Sequence, residues 1–316
     1  LHQDPAELAS LIGCAEAPGP LRSLGRPIDR RCPGFLGRRL RAETSLVELL
    51  SERGTVVFAQ RAPGTGVLSL WCPRLNAGTL RGLLVTIDAR NILVIGGLVG
   101  DANSAALFGY ALGLARSASP AVGFIGTASG DSPLFVQRFY ETFRSLLCRP
   151  SHLPLFDRTP DVHRYVASLD VVLVGGGNII SMLGTWRAWG LAEELTRAWT
   201  AGTVLVGWSA GAICWFEFGW SDSHAERFEA VPGLGLLPGS CCPHYSQDTA
   251  RRDEFHRVVR QKQIPKGWGI DGGAAIHFQG STPSKVLAPA GTRGACFVSA
   301  DEADTAPIEL ARVEVP

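Results

Sequence analysis

Val204-Leu205-Val206-Gly207-Trp208-Ser209-Ala210-Gly211-Ala212 joins a short apolar run to Gly-x-Ser-x-Gly. The apolar part reads as a buried strand, and the residues from Ala210 to Phe218 suit a helix. A strand that turns into a helix at a serine between glycines is a nucleophile elbow, whose strained turn lifts the hydroxyl clear of the sheet. Glycines two residues before and after the serine let strand and helix pass without Cβ contacts. The helix N-terminus would offer N–H groups and a positive dipole end to an oxyanion. A plain strand–turn–helix joint with a serine N-cap would carry the same letters, so the reading depends on partners.

A serine hydroxyl needs a base. The chain has seven histidines. His2 lies in the N-terminal stretch, His152 before a strand, His163 and His256 on helices, and His277 within a strand; these read as surface or core residues. His224 sits in a polar loop, Ser221-Asp222-Ser223-His224-Ala225-Glu226. His244, in Pro243-His244-Tyr245, ends an apolar stretch that would hold it rigidly at the sheet rim. The expected order is Ser209…Asp222…His244, with His244 as base and Asp222 orienting it. Glu217, Glu226 and Asp248 are rivals for the acid. Two oxyanion donors are needed. Ala210 N–H follows the nucleophile, and Gly177 N–H, in Gly175-Gly176-Gly177-Asn178, would be the second.

Other chemistries fit less well. Gly96-Gly97-x-x-Gly100 follows a strand but lacks the full dinucleotide fingerprint, and no acidic residue ends the second strand. Cys241-Cys242-x-His244 has no matching second pair, and adjacent cysteines rarely share a tetrahedral site. No metal and no cofactor are expected.

The elements that must position these groups begin at Arg90. Asn91–Ile95, Ala121–Ile125, 153–156, 170–174 and 204–206 read as strands. Helical patterns lie between them at 105–116, 133–148, 161–168, 180–186 and 191–199. Strands alternating with helices imply a doubly wound, mostly parallel sheet with its loops on one rim, where Gly177 and Ser209 both fall. A helix at 249–259 and short strands at 267–271, 274–278, 285–288 and 295–298 follow. Residues 1–88 are rich in arginine, lack lysine and are punctuated by Pro-Gly pairs. They are expected to form a poorly ordered extension, with a short helix at 45–50 and isolated strands at 55–59 and 67–71; residues 89–316 form the catalytic domain.

With 30 basic and 29 acidic residues and a net charge of +1, nothing in the charge points to nucleic acid or an anionic membrane. The 46% hydrophobic content can fill a sizeable core. No apolar run approaches the ~18 residues of a membrane span. Leu11-Ile12-Gly13-Cys14 lacks the apolar h-region of a lipoprotein signal, and the scattered cysteines read as reduced thiols; a cytoplasmic protein is expected.

Four blocks in order resemble the peptidase E family: Val174-Gly175-Gly176-Gly177-Asn178, Trp186-Arg187-Ala188-x-Gly190-Leu191, Gly207-Trp208-Ser209-Ala210-Gly211-Ala212 and Cys242-Pro243-His244-Tyr245. These are serine peptidases that include aspartyl dipeptidases and cyanophycinases. The resemblance implies a class I glutamine amidotransferase-like α/β fold over about 91–298. It also implies Ser209 as nucleophile, His244 as base, and Gly177 with Ala210 as oxyanion hole. Arg251 resembles the arginine that aspartyl dipeptidases place on the substrate's aspartate carboxylate, and Asn178 joins it on the substrate side. Ile179-Ile180 stands where the family usually has threonine, and residues 1–88 are outside the family pattern. The implied function is hydrolysis of small peptides, N-terminal-Asp dipeptides among them, through an acyl-enzyme, and a homodimer is compatible with it. The alternatives are an α/β-hydrolase-type esterase and a non-catalytic amidotransferase-like binding protein. Only 35 residues separate Ser209 from His244, which leaves the esterase fold little room for further βα units. An amidotransferase would carry cysteine at the elbow, and the nearest, Cys214, lies beyond the turn.

Overall fold

The computed structural model describes residues 90–225, 227–300 and 311–315 and, as strands, 46–50, 56–61, 67–71 and 84–86. The chain divides into two units, 1–89 and 90–316. In the first, β1 (Leu46–Leu50), β2 (Val56–Arg61), β3 (Val67–Trp71) and β4 (Leu84–Thr86) pair in chain order, each antiparallel to the next. The helix expected at 45–50 is therefore a strand. Its Leu and Glu favour a helix locally, but the ladder to β2 overrides that preference. The strands expected at 55–59 and 67–71 belong to one sheet rather than standing alone. The poor order expected elsewhere in 1–88 falls outside the described residues.

In the second unit, strands and helices alternate through β5 (Asn91–Ile95), α1 (Asp101–Gly113), β6 (Ala121–Ile125), α2 (Pro133–Phe143) and β7 (Arg149–His152). They continue with α3 (Val162–Ala167), β8 (Val171–Val174), α4 (Ile179–Trp189), α5 (Leu191–Ala201), β9 (Val204–Trp208) and α6 (Ala210–Ile213). Then come β10 (Phe216–His224), β11 (Arg227–Pro232), β12 (Leu237–Pro243) and α7 (Thr249–Arg260). Last are β13 (Gly267–Ile270), β14 (Ala275–Gln279), β15 (Thr282–Pro289), β16 (Ala295–Val298) and β17 (Ala311–Val315).

Eight strands form one sheet in the order β17-β15-β14-β5-β9-β8-β6-β7, with β5, β9, β8, β6 and β7 parallel. Alternate residues of its central strands feed two cores. Leu93, Ile95, Phe124 and Val206 meet Leu107 and Phe108 of α1 and Phe139 and Phe143 of α2 on one face. Ile92, Val94, Val174 and Leu205 meet Trp186, Leu195, Trp199 and Trp215 on the other. Burial on both faces is what the continuous apolar runs require.

Three expectations shift. The third strand is 149–152, not 153–156. Leu153 donates its N–H to Phe124 O at 2.9 Å and the ladder stops there, leaving Leu153 and Leu155 as buried plugs. Pro150 is tolerated because β7 is the edge strand. The helix after Ser209 lasts only to Ile213 before the chain enters β10. Finally, β10–β13 and β16 make a second, mixed sheet in the order β11-β10-β12-β13-β16. It buries Phe216, Leu237, Cys241 and Trp268 against the first sheet's side. Its other face packs Trp220, Cys242 and Tyr245 against Phe255, Val258 and Val259 of α7.

Candidate active site

Strand β9 lies between β5 and β8, so Ser209 emerges with the Gly96-Gly97 loop on one side and the Gly175–Gly177 loop on the other. Ser209 has φ 55 and ψ −116, a positive φ that L-residues avoid unless the surroundings enforce it. The enforcement comes from the flanking glycines. A Cβ on Gly207 would lie 2.0 Å from Gly211 O, and one on Gly211 would lie 2.3 Å from Val174 O. Strand, turn and helix are thus pressed closer than any other residue allows.

His244 ends β12 in a second strained conformation, φ 55. Its N–H donates to Gly96 O at 3.1 Å, and its carbonyl accepts from Asp248 N at 3.2 Å. The ring reaches the elbow, with Nε2 3.0 Å from Ser209 Oγ. Burial of this half-buried ring holds its pKa below the ordinary value, and the nearby Arg251 charge adds to that. Asp222 and Asp248 pull the other way. The ring is therefore neutral near pH 7 and can accept a proton.

On the opposite side, Gly177 has φ 139, and a Cβ there would lie 2.2 Å from Ala128 O. The loop is stitched down by Asn178 N, which donates to Ala128 O at 2.8 Å. Fully buried Trp186 donates to Thr127 Oγ1 at 3.1 Å and fixes the turn it leans on. Gly176 lies close beside Ser209: a Cβ there would be 3.1 Å from Ser209 Cβ. The amides of Gly177 and Ala210 donate to no group among the described residues.

The remaining expected site residues are placed differently. Asp222 makes no hydrogen bond to His244. Its Oδ2 lies 2.5 Å from Arg251 Nη2, and its side chain is 64% exposed against 6% for Arg251. This corrects the expected imidazole–Asp222 link: the buried guanidinium attracts the carboxylate more strongly than a neutral ring does. Arg251 does not project freely over the rim. It is held by Asp222, by Asp248 at 3.6 Å from its Nε, and by stacking over Phe228 at 5.1 Å. Asn178 caps α4, its Oδ1 accepting from Ser181 N at 2.9 Å. Its Nδ2 donates to Ser223 O at 3.2 Å, so its polar atoms serve the loop rather than an open pocket.

Four of the other histidines have partners away from the elbow: Glu229 for His224, Tyr140 for His152, Glu194 for His163 and Tyr245 for His256. His277 is buried between Tyr110 and Asn91. His2 lies outside the described residues. Cys214 is buried with its thiol pKa pushed well up, so it carries no thiolate. Cys241 and Cys242 face different core layers. Gly97 went unread as a site residue. A Cβ there would run into the His244 ring, a residue 147 positions away that leaves no local signature.

A model described as peptidase family S51 matches residues 92–286. The uncharacterized peptidase YgaJ of Bacillus subtilis (strain 168) is 43% identical over 184 residues, 58% of this chain and 80% of that protein. Peptidase E of Citrobacter koseri is 34% identical over 83 residues, covering 26% of this chain and 36% of its own length. The crystal structure of a peptidase from an acI-B1 Actinobacterium superposes with a TM-score of 0.50 at 16% identity. It covers 66% of this chain and 91% of that one, and shows the shared fold. Among the described residues no helix is long and apolar enough to cross a membrane.

Proposed function

The chain belongs to peptidase family S51 and is a serine-type peptidase; from that premise we propose that it cleaves small peptides through an acyl-enzyme on Ser209, with His244 as base. The observation that carries this is the 3.0 Å approach of His244 Nε2 to Ser209 Oγ at a strained elbow. Ser209 Oγ attacks the scissile carbonyl carbon while its proton passes to His244 Nε2. The carbonyl π pair becomes an oxyanion, received by the N–H groups of Gly177 and Ala210. Collapse breaks the C–N bond, and the imidazolium returns the proton to the leaving amine. Water, deprotonated by the same ring, then releases the acid product and frees Ser209.

The substrate class we propose is dipeptides with N-terminal aspartate. Arg251 supports it: its guanidinium is buried, its charge is felt at His244, and its planar fork suits a carboxylate. In the free protein Asp222 stands where the substrate's side-chain carboxylate would bind, so binding exchanges one carboxylate for another. The test compares Asp-Leu, Asn-Leu and Leu-Leu in the wild type and in Arg251→Ala. Wild type should prefer Asp-Leu, and Arg251→Ala should lose that preference by about 2–5 kcal/mol in kcat/KM. Equal rates on all three in the wild type would remove the aspartate specificity and leave the serine peptidase.

A further inference from the structure

A general base is ordinarily oriented by a third group, commonly a carboxylate that fixes its tautomer and offsets the imidazolium charge. His244 has none. Among the described residues no Asp or Glu oxygen lies within 4.0 Å of its ring nitrogens. The carboxylates nearby are engaged elsewhere. Asp222 holds Arg251, Glu217 accepts from Gly239 N at 2.8 Å, and Asp248 caps α7 through Arg251 N at 3.0 Å. Asp271 accepts from Gly294 N at 3.2 Å and from Ser246. Glu226 lies outside the described residues.

Backbone touches the ring instead. A Cβ on Gly97 would sit 2.6 Å from His244 Cε1, 2.7 Å from Nδ1 and 3.6 Å from Gly272 Cα. Gly97 has no positive φ, so its torsions do not call for glycine; the space taken by the ring does. The seat is braced from several directions. Gly96 N donates to Ala274 O at 3.0 Å and Gly273 N to Gly97 O at 2.8 Å. Gln247 Oε1 accepts from Gly272 N at 2.9 Å. His244 is tied to the same loop through its own N–H on Gly96 O.

We propose that His244 works with Ser209 as a dyad, oriented by the glycine seat at Gly97 rather than by a carboxylate, with Gly97 as its positioning residue. The ring needs little orientation from a third side chain because its backbone is pinned, its χ freedom is limited by the seat, and Ser209 meets Nε2. The inference rests on the assignment of Ser209 and His244 given above.

The experiment measures kcat and KM on the best dipeptide for the full chain and for His244→Ala, Asp222→Asn, Asp248→Asn, Glu217→Gln, Glu226→Gln, Asp271→Asn and Gly97→Ala. His244→Ala should be inactive; if it is active, the base assignment itself fails, whatever the others do. Glu217→Gln, Glu226→Gln and Asp271→Asn should each keep kcat within roughly fivefold, against the ~10⁴-fold loss seen when a triad carboxylate is amidated; Asp222→Asn and Asp248→Asn, which loosen Arg251, should change KM and stay well short of that loss in kcat. Asp222→Asn is read in kcat, because freeing Arg251 moves KM. Gly97→Ala should lower kcat by about 100-fold with KM nearly constant, the cost of a base displaced by an ångström. A purely structural glycine would lower stability without that split. One acid variant that folds and loses about 10³ in kcat would overturn the dyad and name the triad acid. So would Gly97→Ala with wild-type kcat. If Gly97→Ala does not fold, the acid series decides alone, in either direction.

Discussion

With His244 as the proposed base, its ring decides the pH behaviour. The reactive form is the neutral ring, and burial, then the Arg251 charge, hold its pKa below the usual 6.5. Lowering the pKa extends the neutral form towards acid. The acid limb of kcat/KM on Leu-Leu, which has no titrating side chain, should therefore have its midpoint below 6.5. A midpoint above 6.5 would mean that a carboxylate stabilises the imidazolium and would count against the dyad. That Ser209 and His244 would meet was legible in the sequence, from the paired glycines at one and Pro243-His244-Tyr245 at the other. The surroundings of His244 were not. Asp222 falls in the expected order between Ser209 and His244, but order along the chain cannot show that Arg251, seven residues past His244, takes the carboxylate first.

At the scale of elements, the elbow depends on two glycines whose missing Cβ atoms let β9, α6 and the end of β8 interlock. Gly207→Ala and Gly211→Ala would each press a methyl to within 2.0 and 2.3 Å of a backbone carbonyl oxygen. Backbone cannot yield as a side-chain tip can, so each should cost about 3 kcal/mol, at the upper end for overpacked sites. Chemical denaturation checks this; a loss under ~1 kcal/mol would show that the elbow relaxes cheaply. The parallel strands before the elbow were readable because apolar runs bounded by glycines and alternating with helical patterns leave few topologies. Beyond it the signal faded. Trp215-Phe216-Glu217-Phe218 fits helix or strand, and only pairing with β11 and β12 settles it. The second sheet mixes parallel and antiparallel neighbours drawn from distant segments, an arrangement with no local periodicity to betray it. In β1, leucines and a glutamate disguised a strand as a helix.

Across the whole molecule, one polar chain runs through the second unit's main sheet. His277 of β14 meets Tyr110 of α1 at 2.9 Å and Asn91 of β5 at 2.9 Å. Burial, with Lys285 adding to it, lowers the His277 pKa to about 4. The unfolded chain takes up this proton near pH 6.5, the folded one only near 4. Stability from this group is therefore complete above 6.5 and is lost as pH falls towards 4. Urea midpoints should drop between pH 7 and pH 5, and His277→Gln should flatten that drop; an unchanged slope would show that His277 is not its source. At the centre of that sheet stands Ser209, the proposed nucleophile. That role is tested most directly by dipeptide hydrolysis with purified wild type and Ser209→Ala, both checked for folding. Wild type should turn over, and Ser209→Ala should lose at least about 10³-fold in kcat, since the remaining amides and binding contacts cannot replace the nucleophile. Turnover by Ser209→Ala at a rate near that of the wild type would contradict the assignment.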